Sequence, residues 1–116
     1  MAYILLVEDD LQIQKDLPVL FEESGHHVRI AVDLEAALWD AKSLQAGDVV
    51  LTDKNLGGHR GISPLLDYLR DEKPDVKVII SSGEPSTFAR RELYAHAFHE
   101  KGGSYLPLLD LIKQWT

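Results

Sequence analysis

Four carboxylates, one lysine and one hydroxyl stand where apolar runs end. Glu8, Asp9 and Asp10 follow Ile4, Leu5, Leu6 and Val7 without a spacer, Asp53 closes VVLTD, Ser82 closes VIISS and Lys101 closes AFHEK. Carboxylates gathered at strand ends repel one another, and partial burial raises the cost of keeping them ionised, so a cation must offset them. Glu8, Asp9 and Asp53 offer only oxygen, which suits a hard divalent cation. Mg²⁺ in particular is held by one or two carboxylates while keeping waters and phosphate oxygens as its other ligands. A lysine adds a compact positive charge, and a serine hydroxyl adds a donor for a phosphate oxygen. Cation, lysine and donor around one carboxylate make a phosphoryl-accepting site, because phosphoryl transfer is catalysed mostly by positioning and charge neutralisation. Asp53 is the expected nucleophile, since a carboxylate can carry phosphate as a mixed anhydride.

For these side chains to meet, the chain must bring its strand ends together. Short apolar runs at 3–7, 28–32, 48–53, 76–82 and 97–101 alternate with amphipathic stretches, the pattern of repeated βα units and a parallel sheet. A flavodoxin-like, doubly wound α/β fold with five parallel strands in the order 2-1-3-4-5 and helices on both faces is predicted. In that order the first and third strands are neighbours at the topological switch point, so Asp9 is set beside Asp53. Punctuation supports the helices. Gly25 and Gly47 fit as C-terminal caps of the first two helices, Asp33 as an N-cap, and Ser63-Pro64 as a helix start. Leu108, Leu109, Ile112 and Trp115 share one face of the last helix, with Pro107 in its first turn. Pro18 falls inside the first helix, where the missing N–H predicts a kink over 14–18.

Composition narrows the classes. The 116 residues suit one domain, expected to span 1–116 with no output domain. Apolar residues are 45% and charged residues 27%, as in soluble globular proteins, and the net charge of −7 argues against nucleic acid or anionic membrane as partners. No cysteine is present, so disulfides and thiolate metal sites are excluded. The start lacks the basic region of a secretory signal, and no apolar run reaches membrane-spanning length, so a soluble, cytoplasmic protein is expected.

VEDD at the first strand end, LTDKNLGGHRG around Asp53, VIISSG at the fourth strand and FHEK at the fifth resemble the response-regulator receiver domains of two-component signalling, the CheY-like family. The resemblance covers essentially the whole chain. It implies that Asp9 is a direct Mg²⁺ ligand, Glu8 acts through metal-bound water, and the backbone carbonyl of Asn55 is the third protein ligand. It implies that Asp53 is the phosphoacceptor, that Ser82 is the switch hydroxyl, that Lys101 is the family's lysine, and that Phe98 is the aromatic whose rotamer reports phosphorylation. Gly61 matches the glycine that opens the third helix. The implied function is a receiver that takes a phosphoryl group from a histidine kinase or histidine phosphotransfer protein and signals to a downstream protein through phosphorylation-dependent binding. Its only catalysis would be its own phosphorylation and dephosphorylation. Asn55 and Glu84 match positions bordering the hydrolytic water's path and imply a short-lived phosphoform.

The chain also departs from the family's pattern. Gly57 stands where a proline is usual and gives a looser Gly57-Gly58 loop; Gly102 replaces the proline after the lysine, so a trans peptide is expected there. The stretch from Gly83 to Phe98 is short, which implies a truncated fourth helix and an altered output face. These departures motivate an alternative, a receiver-like interaction module that binds independently of phosphorylation. A phosphatase of related chemistry is disfavoured, because Asn55 stands where a catalytic acid would be needed. Singly, each site residue has a plainer reading: Asp10 as a helix cap, Asp53 as a turn residue, Lys101 as a solvated lysine, Ser82 as a loop hydroxyl. Their joint placement on one sheet edge outweighs those readings. The pairs His26/His27 and His96/His99 lack further ligand spacing and read as solvated, GGHRG reads as a turn, and Arg90 and Arg91 as the wet face of a helix.

Overall fold

Apolar runs and amphipathic stretches become parallel strands and helices in the order β1 (Tyr3–Val7), α1 (Leu11–Glu23), β2 (His27–Ala31), α2 (Leu34–Ala41), β3 (Val49–Asp53), α3 (Ser63–Glu72), β4 (Lys77–Ser82), β5 (Ala97–Glu100) and α4 (Leu106–Trp115). This computed structural model describes residues 2–56, 61–83 and 93–115. All adjacent strands are parallel, in the predicted order β2-β1-β3-β4-β5. Strand ends differ from expectation by one residue in places. β2 lies one position earlier, and β5 stops at Glu100, so Lys101 stands in the turn beyond it.

Successive strand residues face opposite sides, so the sheet divides its apolar side chains between two cores. Leu5, Val7, Val50, Val78 and Ile80 meet α2 and α3 through Ala37, Ala41, Leu65 and Leu69. On the other face Ile4, Leu6, Val49, Leu51 and Ile79 meet Leu17 and Phe21 of α1 and Leu108 and Ile112 of α4. β1, β3 and β4 are thus buried on both sides, which explains their continuous apolar runs.

The caps hold the loops of the carboxyl edge. Asp10 accepts hydrogen bonds from Gln12 N at 2.8 Å and Ile13 N at 3.1 Å and so starts α1. Asp33 does the same for α2, through Ala36 N at 2.8 Å. Replacing Asp10 with Ala is expected to lower stability by about 1 kcal/mol, read as a lower urea midpoint at unchanged slope. Gly25 follows α1 with φ +90, as a C-terminal glycine should. Gly47 does not cap α2: that helix ends at Ala41 with Lys42 as its cap, and Gly47, at φ +92, turns the chain into β3. α3 starts at Ser63, so Pro64 takes its second position, and Ile62 before it makes no side-chain cap. α1 continues through the buried Pro18, since proline removes one hydrogen bond without ending this helix. Gly57, Gly58, Glu84, Arg90, Arg91 and most of the stretch expected to hold the short fourth helix lie outside the described residues.

The histidines correct the reading of solvated pairs in part: His26 and His99 are buried, whereas His27 and His96 are exposed. His26 is buried, its Nδ1 accepts Ala2 N at 3.0 Å, and its ring meets the edge of Phe21. His96 Nδ1 accepts Val78 N at 3.0 Å, and His99 is buried against Tyr105; His27 is exposed. Alternation explains this, since neighbours on a strand cannot share one environment. Burial lowers the pKa of His26, and burial with the charge of Lys77 lowers that of His96. The unfolded chain takes up these protons near the ordinary value of 6.5, and the folded protein takes them up only at lower pH. Stability is therefore full above pH 6.5 and is lost as pH falls below it towards the lowered folded values. Urea midpoints should fall between neutral pH and about pH 5.5, with about 1 kcal/mol riding on the bond from Ala2 N to the buried His26, and His26→Gln should flatten the profile.

Candidate functional site

β1 and β3 lie side by side, with Val7 opposite Thr52, so Glu8 and Asp53 emerge from adjacent strand ends. Asp53 lies opposite Ser81, and Ser82 opposite Glu100, which carries the edge on to Lys101. Carboxylate oxygens of Glu8, Asp9 and Asp53 all lie within 4.8 Å of one another. Lys101 Nζ stands between two of them, 3.0 Å from Glu8 Oε1 and 3.1 Å from Asp53 Oδ2.

Each carboxylate has its own setting. Glu8 is 2% exposed, and both its oxygens are engaged. Oε1 meets Lys101, while Oε2 accepts Asp9 N at 3.0 Å and Asp10 N at 3.2 Å. Gln14 of α1 donates to the Glu8 carbonyl at 2.8 Å, and Glu8 N donates to Ala31 O at 3.0 Å, which fix the backbone at this strand end. Burial raises the Glu8 pKa, opposed by the hydrogen bonds from Lys101 and Asp10 N and reinforced by the charge of Asp53. Asp9 is exposed, so solvent screens its repulsion from the Glu8 and Asp53 carboxylates within 4.8 Å of its own. Asp53 is 8% exposed and its Oδ1 accepts Asn55 N at 3.1 Å, a contact that folds the following turn over the carboxylate.

Lys101 is held from the main chain as well, since its N donates to Ser82 O at 2.9 Å. Burial opposes its charge, but hydrogen bonds to Glu8 and Asp53 and the charges of both carboxylates outweigh it and raise its pKa. The ammonium thus stays protonated, and a lysine that would be solvated if it stood alone becomes part of a buried ion cluster. Gly102 follows it at φ +85 with a trans peptide, a conformation that glycine adopts without strain.

The sequence-predicted residues divide accordingly. Glu8, Asp9, Asp53 and Lys101 are in one cluster, Asn55 is hydrogen-bonded to Asp53, and the buried Ser82 ends β4 one residue beyond the Asp53 register. Phe98 lies opposite Ile80 and packs on the α2–α3 core. Gln14, Ser81, His99 and Tyr105 were not predicted. The last three line one small cavity with Glu8, Asp53 and Lys101. Gln14 carried only a faint signal, its place one turn into the helix that Asp10 starts.

The model of the response regulator receiver domain matches residues 4–100 of this chain. The chain is a member of the response regulator receiver domain family. Receiver domains serve two-component signalling as phosphorylated, Mg²⁺-binding units that work with histidine kinases and downstream effectors rather than as conventional enzymes. Solved structures agree on the fold. The response regulator TrrA from Thermotoga maritima, in complex with Mg²⁺ and BeF, matches at TM-score 0.84 and 24% identity over 100% of both chains. The Francisella response regulator 1452 receiver domain matches at TM-score 0.85 and 24% identity, over 99% of this chain and 96% of that one. A CheY-like receiver domain protein from Methanospirillum hungatei JF-1 matches at 0.83 and 25% identity, over 98% and 92%. No curated protein matches this chain in sequence. Among the described residues no helix of this receiver domain is long and apolar enough to cross a membrane.

The donor set fits Mg²⁺. It is entirely oxygen, and Asp9, the exposed carboxylate of the three, is the most open to a cation, while Glu8 and Asp53 are engaged by Lys101 and main-chain N–H groups.

Proposed function

We propose that this receiver accepts a phosphoryl group on Asp53 from a phosphohistidine donor, a histidine kinase or a histidine phosphotransfer protein, and signals by binding a downstream protein differently in the two states. The observation that carries this reading is the Lys101 ammonium, 3.0 Å from Glu8 and 3.1 Å from Asp53 beside an all-oxygen acidic cluster. Asp9, Asp53 and the Asn55 carbonyl would hold Mg²⁺, with Glu8 reaching it through water. The metal, when bound, supplies charge neutralisation for the incoming phosphoryl oxygens. Asp53 provides the attacking oxygen, and its Oδ1 is oriented by Asn55 N. Lys101 remains beside Asp53 Oδ2 as a fixed positive charge, and the Ser82 hydroxyl donates to a phosphoryl oxygen. Glu8 takes no direct part and sets the position of Lys101. The chemistry is confined to gain and loss of the chain's own phosphoryl group. The two cores on one five-stranded sheet support a single receiver unit.

Mg²⁺-dependent labelling by acetyl phosphate, or stable uptake of beryllofluoride, tests the reading; a wild-type protein that stays unlabelled in ample Mg²⁺ contradicts it. The cation should also stabilise the fold, by about 2.7 kcal/mol at a hundred times its Kd. Thermal melts with and without Mg²⁺ measure this, and Asp9→Asn should remove most of the shift.

A second reading, a module whose binding ignores phosphorylation, draws on Gly102, which leaves a trans peptide after Lys101. Equal partner affinity with and without beryllofluoride would favour it, since a switch must bind differently in its two states.

A further inference from the structure

Beneath the acidic cluster, between the sheet, α1 and the segment that leads into α4, lies a cavity of about 30 Å³, room for a single water. Leu6, Ile13, Leu17 and Leu51 form its apolar wall. Its polar wall is Glu8, Asp53, Ser81, His99 and Lys101, with Tyr105 at the α4 end. Ser81 is opposite His99 in register, and Lys101, in the turn just after β5, reaches the same cavity.

His99 is the unexpected member. It is 9% exposed, and its Nε2 is buried without a hydrogen-bond partner among the described residues. A polar atom in that state is normally unfavourable, so one that persists calls for a reason. Tyr105 fixes the ring by stacking on it, with centroids 5.8 Å apart and planes at 26°. Burial holds the imidazole below its ordinary pKa, against the pull of Glu100, so the ring is neutral and one of its nitrogens is an acceptor. Across the same cavity, Lys101 has three ammonium donors, and Glu8 and Asp53 together take two.

We propose that His99 is a positioning residue for Lys101, the third ammonium hydrogen running to one water in the shared cavity that donates in turn to His99 Nε2. The imidazole then anchors the ammonium from below, while the two carboxylates hold it from the β1 and β3 side. Its effect on phosphoryl transfer rests on the reading of Asp53 as phosphoacceptor; the hydrogen bond itself does not.

Two substitutions separate this role from simple packing. His99→Leu keeps the packing against Tyr105 but removes the acceptor, so a thermal melt should show the fold retained while labelling by acetyl phosphate at saturating Mg²⁺ slows about tenfold, the worth of one hydrogen bond. His99→Gln, which retains an acceptor at similar reach, should recover most of that rate, and Mg²⁺ affinity should be the same in both variants. A rate unchanged in His99→Leu, or lost equally in His99→Gln, overturns the proposal. Imidazole ¹⁵N shifts give an independent reading in the unphosphorylated protein. Nε2 should carry no proton and should show an accepted hydrogen bond that disappears in Lys101→Met. An Nε2–H tautomer, or Nε2 shifts unaffected by Lys101→Met, overturns it as well. Should wild type take no label at all, the phosphoacceptor reading falls while the ¹⁵N shifts still decide the role of His99.

Discussion

Asp53→Asn is expected to abolish labelling by phosphodonors while leaving the fold intact or slightly more stable. The amide keeps an oxygen that can accept from Asn55 N, so the turn after β3 has no reason to open. What disappears is the anionic oxygen proposed as the nucleophile; Glu8, the other buried carboxylate of the cluster, stays held by Lys101 and two main-chain N–H groups. The charge of Asp53 also raises the Glu8 pKa, so its removal relieves repulsion inside the cluster. Mg²⁺ affinity should fall as well, by about tenfold for one lost carboxylate ligand. Radiolabelled or mass-shifted phosphoprotein, a thermal melt and a Mg²⁺ titration read the three effects separately. A variant that still gains phosphate would place the acceptor elsewhere.

Lys101→Met should split two properties that Asp53→Asn lowers together. The ammonium is a positive charge in the place where a phosphoryl group would arrive, so its loss should slow labelling by about a hundredfold, the usual scale for one preorganised electrostatic contact. The same ammonium repels a divalent cation and shares Asp53 with it, so Mg²⁺ should bind the variant more tightly. Glu8 is left buried with only main-chain partners, and its pKa should rise further. The sign of the pH effect follows. A carboxyl whose folded pKa is raised stabilises the fold below its unfolded value of 4.5 and loses that contribution as pH rises through the folded value. Lys101→Met should therefore lose stability from mildly acidic to neutral pH, relative to wild type, and Mg²⁺ should restore part of it. Labelling rates, Mg²⁺ titrations and urea midpoints across that range check each expectation; weaker Mg²⁺ binding in the variant would contradict the opposition between the two cations.

Glu8 and His99 show where reading a sequence succeeds and where it stops. The strand-end carboxylates were visible because Ile4 to Val7 is a continuous apolar run that a polar residue must end, and a parallel order puts such ends on one edge. The apparent conflict among Glu8, Asp9 and Asp10 has a simpler resolution than a bound cation alone. Glu8 turns inward to Lys101 and Asp10 caps α1, so of the three only Asp9, exposed yet within 4.8 Å of the Glu8 and Asp53 carboxylates, still crowds the cluster. His99 was read with His96 as a solvated pair because the two are close in sequence. One bonds Val78 N and the other is enclosed against Tyr105, a residue of the following segment that strand periodicity does not report. Gly47 failed as a cap for a related reason: α2 ends early, at Ala41, and the glycine serves the next turn.

Strand order, the edge on which the polar exceptions gather, the caps at Asp10 and Asp33, and the family are all legible in the chain of residues, because they rest on local periodicity or on residue types at fixed spacing. Packing in three dimensions was needed to pair Lys101 with Glu8 as well as Asp53, to bring Gln14 onto the Glu8 carbonyl, and to enclose Ser81, His99 and Tyr105 in one cavity beneath them. Those contacts join segments many residues apart, and their partners are set by how α1 and α4 pack on one face of the sheet, a choice that no single stretch of chain encodes.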